Sequence, residues 1–154
     1  MRVLVNTSPL IALNRIERIN LLRDLYKQVV CPQSVVDEIE AGVRKGHAPA
    51  MALPPWLSVE PDPAEKAFRS ELGAGESAVL SLALLTKADL VILDDLQARL
   101  VAAELRLRIT GTLGILVAAQ HQGLIVDARG EARRLQAAGF RIHPALLETL
   151  PAGR

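Results

Sequence analysis

Cysteine is almost missing from this chain. Its 154 residues include one, Cys31, which excludes an internal disulfide and a zinc site built from several thiolates. A reducing compartment is the default expectation. Aromatic residues are nearly as scarce, with only Tyr26, Trp56, Phe68 and Phe140. A protein that stacks successive bases of a single strand on aromatic rings needs more of them, closer together. Excess charge is missing too. Lys and Arg number 18 against 17 Asp and Glu, a formal net charge of +1. No global field recruits nucleic acid or membrane, so any nucleic-acid site has to be a local patch. No apolar run approaches the ~18 residues of a membrane span. The apolar start is interrupted by Asn6-Thr7-Ser8-Pro9 and lacks a small-residue cleavage site, which argues against a secretory signal. The expected location is cytoplasmic.

What is present is apolar and regularly punctuated. Half the residues are hydrophobic and 23% are charged, the balance of a globular chain. The length fits one domain over 1–154, burying roughly 70% of its unfolded surface. Arg2 to Val5 reads as a buried strand meeting a helix, with Thr7 or Ser8 as cap and Pro9 in the first turn. A second short helix carries Leu21, Leu22 and Leu25. Gln28 to Cys31 is strand-like, and Pro32 opens a helix to about Ala41. Gly and Pro between 42 and 55 mark a mobile loop, and Trp56 to Val59 an edge strand. A helix from Glu76 to about Lys87, a strand at 90–93, a helix at 96–105 and a short strand at 108–110 follow. Gly111-Thr112 starts a helix to Gln122, and the remainder, 126–138 and 144–150, is helical. Continuously apolar strands alternating with helices indicate a parallel sheet covered on both faces, an α/β fold. Ligands of such sheets bind beyond the carboxyl ends of the strands.

Those ends are polar: Asn6-Thr7-Ser8, Asp94-Asp95 and Thr110-Gly111-Thr112. Helix capping accounts for such residues as readily as chemistry does. Glu76 is more informative. Its helical neighbours Val79, Leu80 and Ala83 mark a core-facing stripe, with Ser77 pointing elsewhere. In the helix after Pro32, Glu38 and Glu40 flank the buried face and Asp37 points away. The residues alone do not choose between Glu38 and Glu40. Carboxylates converging on one cleft repel, at about 4 kcal/mol for charges ~4 Å apart near an effective dielectric of 20. A proton or a divalent cation relieves this, and oxygen ligands without His or Cys suit Mg²⁺ or Mn²⁺. Such an ion supports phosphodiester hydrolysis.

The order of these pieces resembles the PIN-domain family. It runs from a strand into Asn6-Thr7-Ser8-Pro9-Leu10-Ile11 through a Pro-x-x-Val-x-x-Glu helix, Gly73-Ala74-Gly75-Glu76 and Leu93-Asp94-Asp95. Gly111-Thr112-Leu113-Gly114-Ile115-Leu116 and Ala138-Gly139-Phe140-Arg141-Ile142 are similar to an uncharacterised branch of predicted nucleic-acid-binding proteins, VapC-like and often encoded beside a small antitoxin-like protein. The resemblance implies a three-layer α/β/α fold with a mostly parallel sheet and an Mg²⁺- or Mn²⁺-dependent ribonuclease. It implies a site of Asn6, Glu38, Glu76 and the pair Asp94-Asp95. It selects Glu38 over Glu40 and leaves open which of the pair is the direct equivalent. Asn6, Glu76, Asp94 and Asp95 are the implied metal ligands. Thr7 matches the small hydroxyl after the first acid, and Ser8 and Thr112 stand beside as supporting residues. Most active members carry Asp where this chain has Asn6, which removes one negative charge.

Three functions follow. The first is a single-stranded RNA endonuclease, the toxin of a toxin–antitoxin pair with a small antitoxin-like partner. The second is a catalytically silent module that binds RNA or protein. RNA contacts in either case would come from Arg44, Lys45, Arg99, Arg106 and Arg108. A phosphoacceptor of the receiver type is disfavoured, because its acidic pair follows the first strand and its lysine comes late, whereas Lys87 precedes the pair here. A homodimer is expected from the resemblance. Leu10, Leu13 and Leu21 could form its interface or belong to the core, and the 42–55 loop could meet a partner.

Overall fold

A computed structural model describes residues 1–64 and 72–153; Phe68 lies outside them. Among the described residues the chain runs β1 (Val3–Val5), α1 (Thr7–Arg15), α2 (Asn20–Tyr26), β2 (Val29–Pro32), α3 (Gln33–Arg44) and β3 (Leu57–Glu60). It continues α4 (Ala74–Thr86), β4 (Leu90–Ile92), α5 (Leu96–Glu104), β5 (Ile109–Thr110), α6 (Thr112–His121), α7 (Ala128–Ala137) and α8 (Pro144–Thr149). The sheet is parallel throughout, in the order β3-β2-β1-β4-β5. β1 and β4 are buried along their whole length, as strands covered on both faces must be. Connections from β1 to β2 and from β3 through β4 to β5 run in opposite directions along the sheet, and right-handed crossovers place their helices on opposite faces. The result is a three-layer α/β/α fold. α1, α2, α6 and α7 pack together, α4 packs with α5, and α3 touches both groups. The chain direction reverses at β1, so the switch in strand order lies between β1 and β4, where an open α/β sheet leaves its crevice.

Several local expectations change. Asn6, not Thr7 or Ser8, is the N-cap of α1, and its side chain makes no capping hydrogen bond. α3 runs through Gly42 to Arg44, so the irregular segment starts after it. The last long helix begins at Ala128, where Asp127 caps it through the Gly130 N–H, 3.0 Å away. α4 is buried on nearly all sides, Ser77 included, so the single core-facing stripe assumed for Glu76 does not exist. Leu10, Leu13 and Leu21 are core residues, which removes them as an interface. Cys31 is buried beneath the sheet's helices, and burial pushes its thiol up to about 12, so it stays protonated and inert. Among the described residues no helix is long and apolar enough to cross a membrane.

α7 comes late in the chain and is tied back to its start. Arg18, just after α1, donates from Nε and Nη2 to Glu131 Oε1 at 3.2 and 2.8 Å. Arg134 donates to the other oxygen at 2.7 Å. Partial burial alone would raise the Glu131 pKa, but these two guanidinium groups outweigh it and hold the carboxyl below its usual range. Its contribution is complete above the unfolded-state value of ~4.3 and is lost as pH falls through the lower folded value. Glu131→Gln is therefore expected to cost ~1 kcal/mol near neutral pH. The cost should shrink toward zero in thermal melts carried below pH 4; an equal cost at both ends would overturn the ion-pair account.

Candidate functional site

The site forms where β1 and β4 end. Asn6 is still held as strand, its N–H donating to Ile92 O at 3.1 Å. That bond fixes the side chain over the crevice. Asn6 is only 3% exposed, and its Oδ1 has no hydrogen-bond partner. An orphaned buried acceptor costs ~1–3 kcal/mol and asks for an explanation, such as a bound ion or water.

Glu38 of α3 reaches the same place. Its Oε2 accepts from Thr7 Oγ1 at 2.7 Å and its Oε1 from the Gly75 N–H at 2.7 Å. Thr7 is the first residue of α1 and Gly75 the second of α4, so one carboxylate joins the starts of two helices. A Cβ on Gly75 would come 2.6 Å from Glu38 Oε2, so the second glycine of Gly73-Ala74-Gly75-Glu76 makes room for this contact. Glu40 is exposed, in agreement with the choice of Glu38.

Glu76, the third residue of α4, folds back on the helix start. Its carboxylate lies against Gly73 and the backbone of its own first turn, as the acid of a capping box does. Burial raises its pKa first, that backbone lowers it, and the charges of Glu38 and Asp95 raise it further; the net shift is upward.

The two aspartates separate. Asp94 accepts from the Thr112 N–H at 2.8 Å through Oδ1 and from Thr112 Oγ1 at 2.6 Å through Oδ2, with Ser8 Oγ at 3.4 Å. Thr112 is fully buried and begins α6, so Asp94 sits at a helix N-terminus. Asp95 is exposed and caps α5 through the Ala98 N–H at 2.9 Å. Arg99 stands close to Asp94: its Nη1 lies 2.7 Å, and Asp94 Oδ1 2.8 Å, from the point where a Gly111 Cβ would sit.

Asn6, Thr7, Ser8, Glu38 and Glu76 line one cavity of about 420 Å³. Its remaining wall is Ile11, Ala12 and Arg15 of α1 with Leu135, Ala138, Gly139 and Phe140 at the end of α7. Asp94 and Asp95 are outside this lining, joined to it through Ser8 and through the field at Glu76. Of the cations expected to touch RNA, Arg99 is near Asp94. Arg44 and Lys45 are at the end of α3, and Arg106 and Arg108 precede β5 at the sheet's amino edge, opposite the cavity. The sequence reading did not find Arg15 or the α7 wall. Its only signal there was the 138–142 motif, to which no site role was given.

All these donors are hard oxygens, the right kind for Mg²⁺ or Mn²⁺, and Asn6 Oδ1 is a free one. The spacing is less complete. Among the described residues no group of three His, Cys, Asp or Glu side chains stands close enough to hold an ion. Both oxygens of Glu38 and of Asp94 already accept hydrogen bonds. The residues fit such an ion in kind, since an ionised carboxylate has about four lone-pair sites and these bonds occupy only some of them.

The raised pKa of Glu76 gives a prediction for the metal-free protein in EDTA. Glu76→Gln keeps the capping acceptor and removes a charge repelled by Glu38 and Asp95. It should raise the melting temperature near pH 7 by ~1–2 °C, a few tenths of a kcal/mol after solvent screening. The gain should fade as pH drops below ~4.3, the unfolded-state value, since Glu76 becomes protonated in both states only under it. A loss of stability at pH 7 would contradict the repulsion.

A family model described as a PIN domain matches residues 2–151. Comparison with curated proteins and with solved structures gives no match. The PIN fold is of nuclease type, and PIN domains generally use divalent metal ions and act on nucleic acid. The match spans nearly the whole described sheet and its helices, and by it the chain belongs to the PIN-domain family.

Proposed function

We propose that residues 1–154 form one PIN-like domain that acts in the cytoplasm as a metal-dependent endonuclease on single-stranded RNA. In this reading it is the toxin of a pair with a small antitoxin-like protein, and it works as a homodimer. The observation that carries the nuclease reading is the buried, unpartnered Oδ1 of Asn6. Asn6 lines a cavity shared with Glu38 and Glu76, at the carboxyl end of the central strand.

Asn6, Glu76 and one of Asp94 and Asp95 would hold Mg²⁺ or Mn²⁺, with Glu38 beside them. When bound, such an ion supplies charge neutralisation at the phosphate and activation of water. The chain's own residues do the rest. Thr7 and the Gly75 N–H orient Glu38, and Thr112 orients Asp94, so carboxylates are aimed before the substrate arrives. A proton taken from water would go to Glu38 or Glu76, which line the cavity, since Asn6 has no basic carboxylate oxygen. Ser8 and Thr112 position Asp94.

A second reading has its own support. Asn6 replaces a charge with a neutral amide, and Glu38 and Asp94 are satisfied within the protein. Those are features of a module that binds RNA or protein without cutting.

The test is a fluorescent mixed-sequence RNA incubated with Mn²⁺, Mg²⁺ or EDTA. Metal-dependent cleavage is expected, lost by ~10²-fold or more in Glu76→Gln and in Asp94→Asn/Asp95→Asn. Millimolar metal should also raise the melting temperature of the natural chain and not of Glu76→Gln. RNA binding that weakens with salt, without cleavage, would establish the silent module instead. In that case Asn6→Asp is expected to switch cleavage on.

A further inference from the structure

The cavity is too apolar on one side for acid chemistry alone. Ile11, Ala12, Leu135 and Phe140 face the polar floor of Asn6, Glu38 and Glu76. Phe140 has a local reason to be there. α7 ends in a Schellman motif: Phe140 N–H donates to Leu135 O at 2.9 Å and Gly139 N–H to Gln136 O at 3.0 Å. Gly139 sits at φ +99°, which only glycine adopts easily. This motif brings the residue after the glycine back against the helix, here onto Leu135. Helix termination explains the contact with Leu135. It does not explain why the ring remains half-buried at a cavity also lined by Asn6, a residue 3% exposed whose Oδ1 has no hydrogen-bond partner.

We infer that this apolar wall is a pocket for a single nucleobase of the bound strand, the base next to the phosphate over Asn6 and Glu38, stacked on Phe140. The inference rests on the nucleic-acid reading above and names the part of the substrate that reading leaves open. About 420 Å³ lies within the usual range of small-ligand pockets, ~300–1,000 Å³, and admits one base with its sugar. One aromatic residue serves one base, in keeping with the chain's poverty in aromatics. Aromatic faces accept any base, so recognition here is of an unstacked base and not of its identity.

The surroundings continue the track. Arg15 spans one mouth of the cavity, Nη1 donating to Ala138 O at 2.9 Å and Nη2 to His47 O at 2.6 Å. Beyond it a shallow groove runs along Gly46 to Pro49. On the other side a groove passes Phe140 to Arg141 and His143. His143 Nδ1 accepts from the Ala145 N–H at 3.0 Å, which leaves Nε2 to donate outward. Cationic and donor groups thus flank the aromatic on both sides, complementary to the phosphates that precede and follow the stacked base. A duplex keeps its bases paired and stacked and cannot place one in this pocket.

The probe is a short single-stranded RNA with 2-aminopurine at its centre, bound in EDTA and again in Ca²⁺. Binding to the natural chain should quench the 2-aminopurine, and Phe140→Trp should preserve the quench. Phe140→Leu keeps an apolar contact for Leu135 and the helix end, and its folding is checked by melting temperature. It should lose the quench and bind ~5–100-fold more weakly. The same strand with an abasic centre should bind the natural chain as weakly as the intact strand binds Phe140→Leu. Equal affinity of Phe140→Leu and the natural chain, of abasic and intact strands, or of duplex and single strand would each overturn the pocket. Cleavage in Mn²⁺ is scored separately. Cutting by Phe140→Leu at an unchanged KM keeps the nuclease and removes the pocket. Base-dependent binding without cutting keeps the pocket and removes the nuclease.

Discussion

In a parallel sheet each strand is followed by a helix that runs back the other way, so strand carboxyl ends and helix N-termini gather on one edge. Every acid of the site depends on that convergence. Glu38 accepts from the second N–H of α4 and from the first side chain of α1. Asp94 accepts from the first N–H of α6 and Asp95 from the third N–H of α5, and Glu76 lies against the backbone where α4 begins. Each helix start is worth ~0.3–1 kcal/mol to a nearby anion. Four such starts let carboxylates stand together at an edge where they would otherwise repel. The bonds that make the acids tolerable also hold Glu38 and Glu76 at one cavity, with Asp94 and Asp95 beside it.

Asn6 belongs to the same balance. It is the most buried polar residue lining the cavity, and a carboxylate there would lie beside Glu38 and Glu76 with no helix N–H of its own, since the Asn6 side chain caps nothing. The amide removes that repulsion while keeping an oxygen acceptor at this position. What it gives up is the charge that attracts a cation. The raised pKa of Glu76, set first by burial and then by the charges of Glu38 and Asp95, shows how crowded with negative charge this edge already is.

α7 makes this edge a pocket. Arg18 and Glu131 fasten it to the end of α1, and Arg15 joins its last carbonyl region to His47. The Gly139 turn then lays Phe140 beside Leu135 over the acids. Stability and shape are coupled here, because the contacts that terminate and anchor the helix are those that wall the cavity.

The element order was readable from local signals. Apolar runs such as Val3-Leu4-Val5 and Leu90 to Leu93 are too short for helices, and Gly, Pro and polar caps bracket them. The alternation of such runs with helices indicates a parallel sheet, and the acids at the strand ends mark its edge. Glu76 does not sit on a one-sided helix: α4 is enclosed on nearly all sides, a fact its apolar composition shows only once its neighbours are known. The choice between Glu38 and Glu40 came from a family pattern, and the cavity gives its reason, with one at the Thr7–Gly75 junction and the other in solvent. The partnership of Asp94 with Thr112 and the meeting of Phe140 with Asn6 had no local trace. A residue's propensity and periodicity depend on its few chain neighbours, so sequence alone determined strands, helices and which edge carries the acids. Contacts between segments far apart in the chain depend on how helices cross and where they end, and only the tertiary structure decided those.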